Sequence, residues 1–194
     1  MIKLFKKFND YRKSKLFNTR EKVAAWLDSM RIENYTINDD LTVDVDWYVI
    51  IANKDLTEIP IQFGKVTRFF DCSKNNLTTL KGCPREVGEG YPGFDCSNNN
   101  LTSLEYCPMV VTGSFDCSRN KISTLKGCPK DIEIGGKISY LHNSLPFEVL
   151  SFHGILYLIR HHEEYGIWNT DGSFNQGRWK FFYNDYRSKI LDKE

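Results

Sequence analysis

The stretch Phe70–Pro84, FDCSKNNLTTLKGCP, returns as FDCSNNNLTSLEYCP at Phe94–Pro108 and as FDCSRNKISTLKGCP at Phe115–Pro129. All 6 cysteines of the 194-residue chain lie inside these three copies. Self-similarity at such a period marks a stacked repeat architecture. Two degenerate copies flank the three. VIIANKDLTEI places Val49, Ile51, Leu56 and Ile59 where Phe70, Cys72, Leu77 and Leu80 stand, and ISYLHNSL places Ile138, Tyr140, Asn143 and Leu145 in the same frame. The frame predicts about five turns, opening at Val49, Phe70, Phe94, Phe115 and Ile138.

Within a turn the apolar pattern is F-x-C-x-x-N-x-L-x-x-L. The period of two in F-x-C sets both side chains on one face of a short strand. One strand cannot bury that face, but parallel stacking of the turns makes it continuous. Asn75, Asn99, Asn120 and Asn143 follow where the chain bends away. A buried asparagine there can donate and accept hydrogen bonds with the backbone of neighbouring turns. The closing Cys-Pro favours an extended return path over a regular helix.

These residues resemble the leucine-rich repeats of the short bacterial type, of about 21 residues with a proline-terminated return. The wording of residues 37–145 is similar to repeat proteins encoded by bacteriophages and some bacteria, and the tail segment YGIWNTDGSFN is also similar to theirs. The resemblance implies a leucine-rich-repeat solenoid, an α/β repeat with a parallel sheet of about five short strands. It further implies an intracellular scaffold for protein binding, with a bacterial host protein as partner. Blocking a defence or transcription factor would be such a role.

The repeats occupy residues 47–145. Residues 1–46 are expected to form an N-terminal helical cap, and residues 146–194 an aromatic-rich helical cap at the other end, because a repeat array must cover its open core. The first segment is basic, with Lys3, Lys6, Lys7, Arg12, Lys13, Lys15, Arg20 and Lys22. It offers an alternative function, a nucleic-acid-associated regulator that sets this helix on phosphates. A second helix, capped by Asn18 or Thr19, presents Val23, Trp26, Leu27 and Met30 on one face.

Cys72, Cys96 and Cys117 take the inward strand position, and Cys83, Cys107 and Cys128 the position before proline. Free cysteine is a small, commonly buried residue. A spacing of eleven within each copy does not match the close pairs of zinc sites, so the cysteines are expected in the core and no metal or cofactor is implied. His161 and Glu164 in HHEE can converge on a helix, with His153 on a nearby face, but no third ligand is evident. No nucleophile–base pair, phosphate loop or HExxH motif appears, so no catalytic residue is assigned.

Between the inward residues lie candidates for a partner-binding concave face: Asp71, Ser73 and Lys74; Asp95, Ser97 and Asn98; Asp116, Ser118 and Arg119. Three carboxylates on adjacent strands about 4.8 Å apart repel one another. Solvent and neighbouring cations, a basic partner, or calcium can each offset that. Tyr91, in the longer loop REVGEGYPG, and Trp168 and Trp179 in the C-terminal region are further candidate contacts, since aromatics are favoured in interface hot spots. The net charge of +1 gives no overall pull toward nucleic acid or membrane. There is no run of eighteen apolar residues, and the basic N-terminus lacks the form of a signal peptide, so a cytoplasmic protein is expected.

Overall fold

The computed structural model describes residues 16–90 and 93–190. The basic segment before Leu16 and the loop residue Tyr91 lie outside the described residues.

Each turn contributes two short strands to two sheets. In chain order they are β1 (Tyr35–Ile37), β2 (Val43–Val45), β3 (Val49–Ile50), β4 (Phe63–Val66), β5 (Phe70–Asp71), β6 (Glu86–Val87), β7 (Phe94–Asp95), β8 (Val110–Val111), β9 (Phe115–Asp116), β10 (Glu133–Ile134) and β11 (Ile138–Ser139). One sheet runs β1-β2-β4-β6-β8-β10 and the other β3-β5-β7-β9-β11. All neighbours pair in parallel except β1, which lies antiparallel on β2. The chain is a β-solenoid with a parallel sheet on each of two sides.

The second sheet contains the five strands expected from the repeat. They start at Val49, Phe70, Phe94, Phe115 and Ile138 and stack in register. The first sheet is new. The return path after each Cys-Pro is extended, as expected, but it also forms ladder bonds with the equivalent segments of adjacent turns. One valine of each of β2, β4, β6 and β8 recurs in the core there, Val45, Val66, Val87 and Val111, joined by Val43 of β2 and Phe63 of β4. Residues 43–45 already pair with β4, so the sheet starts before residue 47, inside the segment expected to belong to the N-terminal region.

The core is a stack. The ring centroids of Phe63 and Phe70 are 5.2 Å apart, those of Phe70 and Phe94 5.9 Å, and those of Phe94 and Phe115 5.2 Å. Full burial of each such ring is worth about 1.5–3 kcal/mol. Leu77, Leu80, Leu101, Leu104, Ile122 and Leu125 fill the next layer. All six cysteines are buried and free.

The asparagines connect the turns. Asn99 Nδ2 donates to the carbonyls of Cys72, one turn earlier (3.1 Å), and Cys96 (3.1 Å), while its Oδ1 accepts from Leu77 N (2.9 Å). Asn120 repeats this with Cys96, Cys117 and Leu101, and Asn143 with Cys117, Tyr140 and Ile122. Asn75 Oδ1 takes both Lys54 N and Leu56 N. Buried carbonyls and amides that the bend would orphan are thereby satisfied. The residue before each asparagine sits in the left-handed region: Lys74, Asn98, Arg119 and His142 have φ of 55°, 55°, 56° and 59°.

At the corner between the two sheets the turns approach closely. A Cβ on Gly88 would lie 2.0 Å from the Thr67 carbonyl oxygen, and Gly93 has φ 86° with the Ser114 carbonyl at 2.4 Å from such a Cβ. Only glycine fits either position. This accounts for two glycines of the longer loop.

Helix α1 (Arg20–Ser29) starts at Thr19, whose side chain accepts from Lys22 N. It buries Val23 and Leu27, with Trp26 6.3 Å from Phe63. After the last turn come α2 (Phe147–Leu150), α3 (Ile155–His161) and α4 (Gln176–Lys189), which starts at Asn175 with its side chain accepting from Arg178 N. Phe152, Trp179 and Phe182 form an aromatic cluster between them, with centroid distances of 5.4 Å for Phe152–Trp179 and 5.6 Å for Phe152–Phe182. No described helix is long and apolar enough to cross a membrane.

Candidate functional site

The outer face of the sheet β3-β5-β7-β9-β11 brings together the residues singled out by the repeat. Asp71, Asp95 and Asp116 are Cα partners across three adjacent strands. Each is half-buried. Each uses its Oδ1 locally: Asp71 accepts from Ser73 N (2.9 Å), Asp95 from Ser97 N (2.8 Å) and Asp116 from Ser118 N (2.9 Å). These bonds turn the chain out of the strand.

Burial pushes the Asp95 carboxyl above the usual carboxylate range. The Ser97 hydrogen bonds oppose this, and the charges of Asp71 and Asp116 on either side add to it. Among the described residues no lysine or arginine forms an ion pair with any of the three. The column is therefore an uncompensated strip of negative charge, with Lys74, Asn98 and Arg119 exposed along its margin.

The serines do not join it. Ser73 is 4% exposed and Ser97 6%, and Ser118 is half-buried. Alternation predicts them outward, but the strands end at the aspartates. Beside the aspartates they are covered rather than exposed: the Ser97 hydroxyl hydrogen-bonds the Asp95 carboxylate and accepts from Asn98 Nδ2 (3.2 Å).

Trp168 and Trp179 are likewise buried, not available as contacts. The exposed aromatics of that region are Phe147, Phe181 and Tyr183. His161 Nδ1 lies 3.0 Å from Glu164 Oε2, so the expected convergence is present. His153 is exposed. His162 is buried, and its pKa is driven down by that burial. Among the described residues no group of three or more His, Cys, Asp or Glu side chains converges on a point. Burial raises the thiol pKa of Cys83, Cys96 and Cys117. Cys107 rises through its contact with Cys128 and through burial. Such thiols are protonated, poor nucleophiles.

Sequence reasoning missed one feature of this face. At its first edge, Tyr48 stacks on Phe69 with centroids 5.1 Å apart and planes at 9°. Trp47 lies 5.8 Å from Tyr48, and the Arg68 guanidinium sits 5.2 Å from the Trp47 ring. An open groove of about 640 Å³ runs beside them, lined by Asn34, Asp46, Trp47, Thr67, Arg68 and Glu89. The signal was available, because WYVIIA aligns with FFDCS and puts Tyr48 beside Phe69 and Ile50 beside Asp71.

No family model, curated protein or solved structure matches the chain.

Proposed function

We propose that the protein is a non-catalytic binding module of leucine-rich-repeat type, whose terminal helices cap the solenoid and whose outer β3–β11 face engages a basic segment of another protein. The observation that carries this reading is the in-register column of Asp71, Asp95 and Asp116, half-buried and with no lysine or arginine paired to it among the described residues. Like charges on neighbouring strands destabilise the free protein, and a lysine or arginine laid along the column relieves them. The aromatic edge at Tyr48 and Phe69 supplies the apolar contact that such a partner needs for affinity. The order strand, asparagine, L-x-x-L in the three full copies, with partial agreement in the two flanking turns, supports the repeat type. The likeness in wording to phage-encoded repeat proteins makes the partner a bacterial host protein and the site of action the cytoplasm. The nucleic-acid alternative has no comparable support. Of the basic residues on which it rests, Arg20 is paired with Asp39, and Lys22 Nζ is 3.0 Å from Asn18 Oδ1.

The test is capture from host lysate by the wild type beside Asp71→Asn/Asp95→Asn/Asp116→Asn. Asparagine retains the oxygen that accepts from the serine amide, so the variant keeps its turns and loses only charge. A stoichiometric partner lost by the variant supports the reading. A partner held equally by both moves the interface off this face, and capture of nothing by either removes the reading.

A further inference from the structure

His142 and His153 are exposed and His161 is half-buried, whereas His162 is 2% exposed. It closes α3, and its ring lies where the C-terminal helices meet the last repeat. The ring faces the Leu125 carbonyl and meets Trp168 edge to face, with centroids 5.2 Å apart and planes at 85°. Among the described residues neither His162 Nε2 nor Trp168 Nε1, both buried, has a hydrogen-bond partner. A neutral imidazole has one N–H and one bare nitrogen, so it tolerates an unpaired Nε2. An imidazolium adds a charge and a second N–H, which meets no acceptor among the described residues. The surrounding charges do not offset it. Lys126 and Lys130 of the last repeat oppose a third cation, and Glu163, which favours one, is already paired with Lys130 at 2.7 Å. Glu164 is engaged by His161. Farther out, Asp131 adjoins Lys130, Asp171 of the following turn lies near Lys126, and Arg178 of α4 lines one groove with Glu163 and Trp168. Burial is the largest influence on the ring and holds its pKa below the ordinary histidine value.

We infer that protonation of His162 detaches the C-terminal helices from the last repeat and uncovers the end of the solenoid. The helices carry a core of their own in Phe152, Trp179 and Phe182, so they separate as a unit. Lys126 Nζ donates to the Asn169 carbonyl (2.5 Å), and Lys130 pairs with Glu163. These two ties beside the ring are both cationic, and its charge repels both. The apolar contact across the junction is imperfect as well. A void of about 10 Å³ lies between Ile138, Tyr140 and Leu145 on one side and Ile155 and Ile159 of α3 on the other. Once detached, the ring is solvated and titrates near its ordinary value of about 6.5. The closed form binds the proton more weakly than the open one. It is therefore fully favoured above that value and loses ground as the pH falls below it. Acid thus bares Ile138, Tyr140 and Leu145 as a new apolar end.

The experiment is native-state hydrogen exchange on the full chain, followed by NMR and corrected for intrinsic rates. From pH 7.5 to pH 5 the amides of α3 and α4 lose protection by at least about tenfold, as linkage to one proton requires. Those of β5 and β7 keep theirs, because the opening is local. His162→Phe is neutral at every pH and fills the same site, so it removes the loss. His153→Gln, at an exposed histidine of the same region, retains it. Should His162→Phe fail to fold, the wild-type ring resonances decide. At pH 6 the His162 ring is still neutral, while the exposed His142 and His153 are mostly protonated. Protection of α3 and α4 that is indifferent to acid overturns the inference. So does a loss that persists in His162→Phe, a loss shared equally by β5 and β7, or a His162 ring that titrates like the exposed histidines.

Discussion

Asn120 Nδ2 lies 3.0 Å from the carbonyl oxygen of Cys96, 24 residues earlier in the chain. The same asparagine accepts from Leu101 N at 3.0 Å, so one side chain satisfies a donor and an acceptor of the preceding turn. Asn120→Leu leaves both unpaired in a dry interior. The expected loss is about 1–3 kcal/mol, read from urea denaturation. Unchanged stability would mean that water replaces the side chain at no cost.

The left-handed residues give a prediction of the opposite sign. Arg119 holds φ 56° in an exposed position. A non-glycine residue pays about 1–2 kcal/mol for that conformation. Arg119→Gly should leave stability unchanged or raise it slightly, since backbone freedom in the unfolded chain offsets part of the gain. Arg119→Val should lower the melting temperature clearly, because a β-branched side chain tolerates that region worst.

The aspartate column predicts a pH dependence. The folded Asp95 carboxyl titrates above its unfolded value, so the folded state binds that proton more tightly. Its contribution is favourable below the unfolded pKa of about 3.9 and is lost as pH rises through the folded value. Asp95→Asn should therefore melt higher than wild type at pH 7, and the advantage should vanish at pH 3. An equal difference at both pH values would show that repulsion is not the cause.

Thiol chemistry tests the core. A thiol reagent should leave all 6 cysteines untouched in the native protein and modify them on denaturation, and a chelator should not move the melting temperature. Rapid native labelling of Cys72, Cys96 or Cys117 would contradict their burial.

At the C-terminal end the two kinds of aromatic residue separate cleanly. Trp179→Ala should cost about 3–5 kcal/mol, whereas the exposed Phe181→Ala should stay within about 0.5 kcal/mol. Comparable losses would place Phe181 in a contact of its own.

The reach of the sequence differed between the two sheets. Phe70, Phe94 and Phe115 are literal repeats whose side chains carry the core, so their strands were legible and their register correct. The other sheet has strands as short as two residues and one buried valine in each of KVT, EVG and VVT. No period is visible in so short a run, and the segments share no wording. Asn75, Asn99, Asn120 and Asn143 were readable because a polar residue at a fixed place among apolar ones demands a partner. Ser73 and Ser97 are buried beside the aspartates, and alternation alone does not tell whether an outward side chain is covered by its neighbours. Trp168 and Trp179 were misjudged because aromatic content alone does not distinguish a core from a contact. Trp47, Tyr48 and Ile50 were overlooked although their alignment with Phe69 and Asp71 was at hand.

The asparagine bonds all run backward. Asn75, Asn99, Asn120 and Asn143 each fasten their own turn to the one before it, and none reaches forward. A chain leaving the ribosome therefore meets, at every new asparagine, a surface already made. Growth of the solenoid has a direction built into its side chains. Loss of the last turn leaves each remaining asparagine fully bonded, while loss of the first strands Asn75.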